Sequence, residues 1–414
     1  MEGEINKFIE VWISVFVCLS YCYAISQIVS KGLTRLLCIL PILCVFLFLP
    51  LYIHSIHLGS ISAFFISWLA NFKLLLFAFG QGPLCSDPSI SLGRFVAVGC
   101  FPIKIQQKIP PKPLIQIPSN TPNQTDSSPP IVSHLNGHKK EKLLPPKPLP
   151  GKPKYTQDKT SPSPPIMSYL NGNNKENPTF KKSNDGHVFP IKHAVMGVLL
   201  AIMIRVYDYS EHIHPKAILL LYCFHIYFLL EIILAVAAAL ARALLGVELE
   251  PQFNEPYLTT SLQDFWGRRW NLMVTNILRM TVYNPTRHAA TRVIGRKWAS
   301  LPAILTTFLV SGLMHELVFY SMGRLRPTWE VTWFFILHGG CLIVEIVLKT
   351  FFSSRWRLPW LISGPLTVGF VIVTSFWLFF PQFLLFKADE RAFQEYAALG
   401  EFWKNVTRRI LQVF

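Results

Sequence analysis

Eight apolar runs, each close to the length that crosses a lipid bilayer, leave this 414-residue chain few folds to choose from. They cover Phe8–Val29, Leu36–Ile53, Ile61–Phe79, His193–Tyr207, Ala217–Leu245, Trp298–Met322, Val331–Phe352 and Trp360–Phe386. A hydrocarbon core about 30 Å thick is spanned by roughly 20 apolar residues in a helix. No water is present there to satisfy peptide groups, so each run must be helical. With 51% hydrophobic and only 15% charged residues, the composition agrees. The expected fold is an all-α polytopic membrane protein of roughly eight transmembrane helices plus short interfacial helices. No small-residue cleavage site follows the first run, which therefore reads as a retained helix rather than a signal peptide. The eight cysteines are scattered, mostly inside apolar runs, without a C-x-x-C pair. They read as buried and reduced, so neither a disulfide framework nor a metal site is indicated.

The net charge of +16 is unevenly placed. Residues 102–192 hold 14 lysines against five acidic residues, a surplus of +9, and the remainder gathers in short loops. That is the bias of cytosolic segments in membrane proteins, not the basic face of a nucleic-acid binder. Lys31 and Arg35 in the first connection, against none in the second, place the amino terminus in the lumen. Strict alternation then leaves the carboxyl tail luminal, where Arg408 and Arg409 fit poorly.

Four regions follow: N-terminal transmembrane helices over 1–85, a linker over 102–190, a second membrane domain over 191–390, and a tail over 391–414. The linker holds 18 of the 31 prolines. A segment so poor in apolar surface cannot offset its ordering entropy, and disorder is expected on the cytosolic side. It contains a tandem duplication: Pro110-Pro-Lys-Pro-Leu114 returns as Pro145-Pro-Lys-Pro-Leu149, 35 residues on. Two copies without helical periodicity make a duplicated spacer, not a solenoid. The sequon at Asn123 would then be cytosolic and unglycosylated. Its PxxP runs also suit a proline-recognition domain.

The chemistry concentrates between Ser261 and Glu316. An aromatic-basic segment, Ser261-Leu-Gln-Asp-Phe-Trp-Gly-Arg-Arg-Trp-Asn271, precedes an apolar run carrying Ser311-Gly-Leu-Met-His315-Glu316. Ionisable groups inside hydrocarbon are costly and mark functional sites by default. Seventeen residues beyond Trp298, His315 should lie roughly 25 Å from the cytosolic end. A neutral imidazole there is suited to act as a general base. The natural proton at that depth belongs to a lipid hydroxyl, and its removal as the oxygen attacks an activated carbonyl would transfer an acyl chain. Asn271 is chemically suited to hold a developing oxyanion. Arg268 and Arg269 are placed to meet phosphates of a soluble carrier at the cytosolic mouth. Against this stands a structural reading, in which His315 and Glu316 hydrogen-bond across helices and the arginines snorkel. Glu231, buried-looking beside His225, is equally compatible with structural pairing. H-x4-D and HHxxxD patterns, a G-x-S-x-G elbow, the histidine boxes of di-iron desaturases and a Walker A sequence are all absent.

The two segments together resemble the plant wax synthase-like branch of the membrane-bound O-acyltransferase superfamily. Trp68-Leu-Ala-Asn-Phe-Lys-Leu-Leu-Leu-Phe-Ala-Phe-Gly80 and Leu249-Glu-Pro-Gln-Phe-Asn254 extend the likeness, whereas the linker matches poorly. The resemblance implies an endoplasmic-reticulum enzyme that moves a fatty acyl group from acyl-CoA to a lipid alcohol. Acyl-CoA is its co-substrate, no further cofactor is required, and a homo-oligomer is compatible with it. Its acceptor would be a long-chain fatty alcohol, giving wax esters, or a sterol, giving sterol esters. A reading of another class is a non-catalytic lipid transporter or scaffold. By the same resemblance His315 is the catalytic histidine and Asn271 its partner, with Asp264, Trp266, Arg268, Arg269, Trp270, Glu316 and Glu231 in the substrate site. One departure stands out: the superfamily sets its acid, tryptophans and asparagine contiguously, but Gly267-Arg-Arg separates Trp266 from Trp270 here.

Overall fold

The computed structural model describes residues 2–86, 89–101, 188–246, 251–351 and 359–413. The linker's duplication and its Asn123 sequon, like residues 247–250 and 352–358, lie outside the described residues. Those described belong to one compact unit formed by 1–106 and 175–414.

Twelve helices carry the argument: α1 (Glu2–Ile28), α2 (Leu33–Phe48), α3 (Ile56–Ala78), α4 (Leu92–Cys100), α5 (Val188–Val206), α6 (Pro215–Leu245), α7 (Leu272–Leu278), α8 (Asn284–Ile294), α9 (Ser300–Gly323), α10 (Glu330–Phe351), α11 (Trp360–Leu385) and α12 (Ala388–Val413). Seven of them, α1, α2, α3, α6, α9, α10 and α11, are long and apolar enough to cross a membrane. The remaining expected span is α5, 19 residues that include Lys192 and Arg205. It runs antiparallel to α6: Lys192 pairs with Glu231 at 2.6 Å, and Tyr207, just past its end, packs on Tyr222 with ring centroids 5.3 Å apart. It is therefore the eighth rod of the bundle.

Two polar ends define the bundle's orientation. At one, Glu4 accepts from the amides of His54 (2.7 Å) and Ser55 (3.0 Å), and Arg324, past α9, donates to the carbonyls of Leu51 and Ile53. The start of α12 is fastened to the same place. Arg391 donates to the carbonyls of Met322 and His54, each at 2.8 Å. An even number of crossings requires this shared end for α12 and the amino terminus. At the opposite end Gly32 bonds Ala78, and Glu345 of α10 accepts from the amide of Leu262 at 2.9 Å. The arginine-rich stretch from Arg268 to Arg296 lies on the chain between that end of α6 and the start of α9. Further on, α12 is exposed along its second half, with Leu399, Phe402 and Trp403 uncovered.

Lys73, on α3, is wholly buried and donates to the carbonyls of Val98 (2.7 Å) and Phe101 at the end of α4. A cation there complements carbonyls that a helix terminus leaves without partners.

Glu395 of α12 gathers the densest set of bonds at the first end. It accepts from Ser55 Oγ (2.9 Å), from the amides of Ile56 (2.5 Å) and His57 (3.1 Å), and from His57 Nδ1 (2.7 Å). Burial pushes its pKa up, but the bonds from His57, Ile56 and Ser55 outweigh that and hold the carboxyl below its usual range. A depressed carboxylate stabilises above its unfolded pKa, and that contribution is lost as pH falls through the folded value. Glu395→Gln is therefore expected to cost about 1–3 kcal/mol at pH 7. In thermal unfolding of the detergent-solubilised protein, the gap to wild type should close below about pH 4.

Candidate active site

His315 sits fifteen residues into α9, about 22 Å along it. Its Nδ1 lies 2.8 Å from the carbonyl of Ser311. A carbonyl can only accept, so Nδ1 carries the proton and Nε2 keeps the basic lone pair. Three aromatic rings flank the imidazole. Phe335 stacks on it (4.3 Å, 27°), Trp68 meets it edge to face (4.8 Å, 78°), and Phe379 stands at 6.3 Å. The histidine is only half-buried despite these rings. Helices α3, α10 and α11 each supply one of these rings, so the setting draws on both the N-terminal and the later helices.

Asn271 begins α7 with a left-handed φ of +38°, a conformation asparagine tolerates better than most residues. Its Oδ1 caps the helix by accepting from the amide of Val274 at 3.3 Å. The side-chain NH2 makes no hydrogen bond among the described residues, and none joins Asn271 to His315. Packing relates the two instead. Met273, Val274 and Trp270 beside Asn271 share one apolar cluster with Trp68 and with Val310, Met314 and Val318 around His315.

Just before Asn271 on the chain lies a π-helical turn, Phe265–Arg269, closed by a bond from the Trp270 amide to the Phe265 carbonyl. Such a turn holds more residues than an α-turn. It therefore absorbs Gly267-Arg268-Arg269 and returns Trp266 and Trp270 to within 6.4 Å of each other. Trp270 stacks on Phe265 and meets Phe253 and Tyr227. Trp266 turns towards α10, 5.8 Å from the same Phe335 that stacks on His315.

The other expected site residues are held in structural bonds. Arg269 donates through Nε to Asp264 (2.6 Å) and through Nη1 to the carbonyls of Asn254 (3.2 Å) and Glu255 (3.1 Å). Its guanidinium thus clamps the 254–269 loop, and so does Asp264, while Arg268 is exposed. Glu316, 3% exposed, turns away from its neighbour and caps α10 by accepting from the amide of Thr332 at 3.1 Å. Glu231 pairs with Lys192 as described above.

His338 was missed by sequence reasoning. It is fully buried on α10; its Nδ1 accepts from the Trp266 indole at 3.1 Å, and its Nε2 donates to Thr374 Oγ1 at 2.9 Å. The indole can only donate, so this histidine is a neutral strut that fixes Trp266. An ionisable residue within an apolar run was the available signal, as it was for His315.

The arrangement is a helical membrane body with one basic imidazole nitrogen held in an aromatic surround. Residues 249–337 match the model of the Membrane bound O-acyl transferase family. The chain is 42% identical to acyl-CoA--sterol O-acyltransferase 1 of Arabidopsis thaliana over 98% of both chains. It is 40% identical to the long-chain-alcohol O-fatty-acyltransferase of Simmondsia chinensis over 96% of both. A probable long-chain-alcohol O-fatty-acyltransferase 1 of Arabidopsis thaliana is 41% identical over 95% of this chain and 96% of its own. This chain belongs to the membrane-bound O-acyltransferase family and is an acyltransferase.

Proposed function

We propose that the protein transfers a fatty acyl group from acyl-CoA to a long-chain fatty alcohol, forming wax esters, with His315 as general base. The observation that carries this reading is the Ser311 carbonyl, which fixes the imidazole tautomer and leaves Nε2 basic in an apolar surround. The alcohol proton passes to Nε2 as the alcohol oxygen bonds to the thioester carbon. The tetrahedral oxyanion then collapses, the C–S bond breaks, and the thiolate recovers the proton from His315. The Asn271 NH2 is a donor suited to the oxyanion. No group other than acyl-CoA is needed to balance the reaction.

A sterol acceptor is the second reading, favoured by the 42% identical relative named for sterols. The chemistry is identical, and only the acceptor pocket would differ. The location proposed is the endoplasmic-reticulum membrane, with the linker and the arginine-rich end cytosolic, as the charge bias supports.

The deciding experiment uses microsomes from yeast lacking its own neutral-lipid synthesis, given labelled acyl-CoA with equal fatty alcohol, sterol and diacylglycerol. Labelled wax ester is the expected product. Sterol ester in its place would establish the second reading, and no ester of either kind would overturn both.

A further inference from the structure

Against the imidazole of His315 stands a buried hydrogen-bond donor with nothing to bond. Trp68 is 2% exposed, and its Nε1 has no partner among the described residues. Its ring touches the His315 ring at a centroid distance of 4.8 Å. Phe64 packs against it at 5.7 Å, and Met273 and Val274 of α7 share its cluster. Buried indole N–H groups usually find partners, and leaving one unmade costs about 1–3 kcal/mol. The backbone supplies a second, independent oddity: Ala63–Ala70, in the middle of α3, is π-helical. Such distortions are uncommon and recur at functional sites.

Resting on the reading of His315 as the base, we propose that the Trp68 indole N–H binds the carbonyl oxygen of the acyl thioester and holds it as it becomes an oxyanion. An indole donates, does not accept, and does not ionise at working pH, so it cannot compete with His315 for the alcohol proton. It therefore suits the oxygen that gains charge. When the alcohol oxygen attacks, the carbonyl electron pair moves onto that oxygen and the Trp68 bond strengthens. As the pair returns and the C–S bond breaks, the bond relaxes. The N-terminal helices would thus contribute directly to the chemistry.

The test uses the full-length enzyme in lipid nanodiscs, with Trp68→Phe and with benzothienylalanine at position 68, which keeps the ring's shape without an N–H. The expected fall in kcat is roughly ten- to a hundredfold, with KM for acyl-CoA raised roughly tenfold by loss of the ground-state bond. Two non-reacting acyl-CoA analogues then separate donation from packing. One is a ketone with CH2 in place of sulfur; the other is a thioether with CH2 in place of the carbonyl. Both replacements should bind the ketone roughly tenfold more weakly and the thioether as wild type does. Equal losses for both analogues, or no loss for either, would overturn the proposal. His315→Ala run in parallel keeps the two claims apart. If it stays active, the base assignment fails, while the analogue pair still reports whether Trp68 meets the carbonyl.

Discussion

His315→Ala is expected to lower ester synthesis by roughly a thousandfold or more while leaving the protein folded. A positioned general base contributes about 10²–10⁴ in rate. Among the described residues no other side chain in this surround is arranged to take its place: the nearest rings are Phe335, Trp68 and Phe379. Glu316 is adjacent in sequence, but its Oε1 accepts from the amide of Thr332 on α10. His338 is held at both ring nitrogens by Trp266 and Thr374. His315→Gln is the companion variant, filling most of the volume without supplying a base. Both should match wild type in thermal unfolding to within about 1–2 kcal/mol. Either variant retaining more than a tenth of wild-type activity would remove His315 from the chemistry.

The second large effect concerns how tightly α9 meets α10. A Cβ added at Gly312 would lie 2.9 Å from Thr332 Cα, a backbone atom that cannot swing aside. Gly312→Ala is therefore expected to force the helices apart at a cost of about 2–3 kcal/mol. Because α10 carries Phe335, which stacks on His315, activity should fall together with stability. Gly340, on α10, is the internal control, since a Cβ there meets nothing within 4 Å. Gly340→Ala should gain stability slightly from its helix propensity, by up to about 1 kcal/mol. Equal melting temperatures for the two variants would show that the close approach does not matter.

Much of this was legible in the sequence because hydrocarbon imposes a strict rule on the backbone. Run length alone located the spans. His315 stands out as a candidate by the same logic, as an ionisable residue inside an apolar run. What pairs with what was not legible. Arg269 reads as a phosphate contact until the loop folds back and Asn254 and Glu255 offer it carbonyls. Glu316 reads as a substrate-site residue, yet neighbouring residues on a helix point about 100° apart, and it faces Thr332. The π-helical stretches Ala63–Ala70 and Phe265–Arg269 leave no mark on apolar periodicity, although the first carries Trp68 beside the imidazole and the second brings Trp266 back to Trp270. His338 satisfied the criterion used for His315 and was passed over. Nothing in spacing alone distinguishes a fixed strut from a base.

The hold of Lys73 on Val98 and Phe101 has a consequence for how this chain could change over time. Phe101 is the last described residue before the proline-rich insert, and the chain resumes at α5, itself fastened through Lys192 to Glu231. Both moorings are thus fixed independently of what hangs between them. An ancestral copying event of the kind recorded in the 35-residue duplication would therefore add residues between two anchors whose bonds do not depend on it.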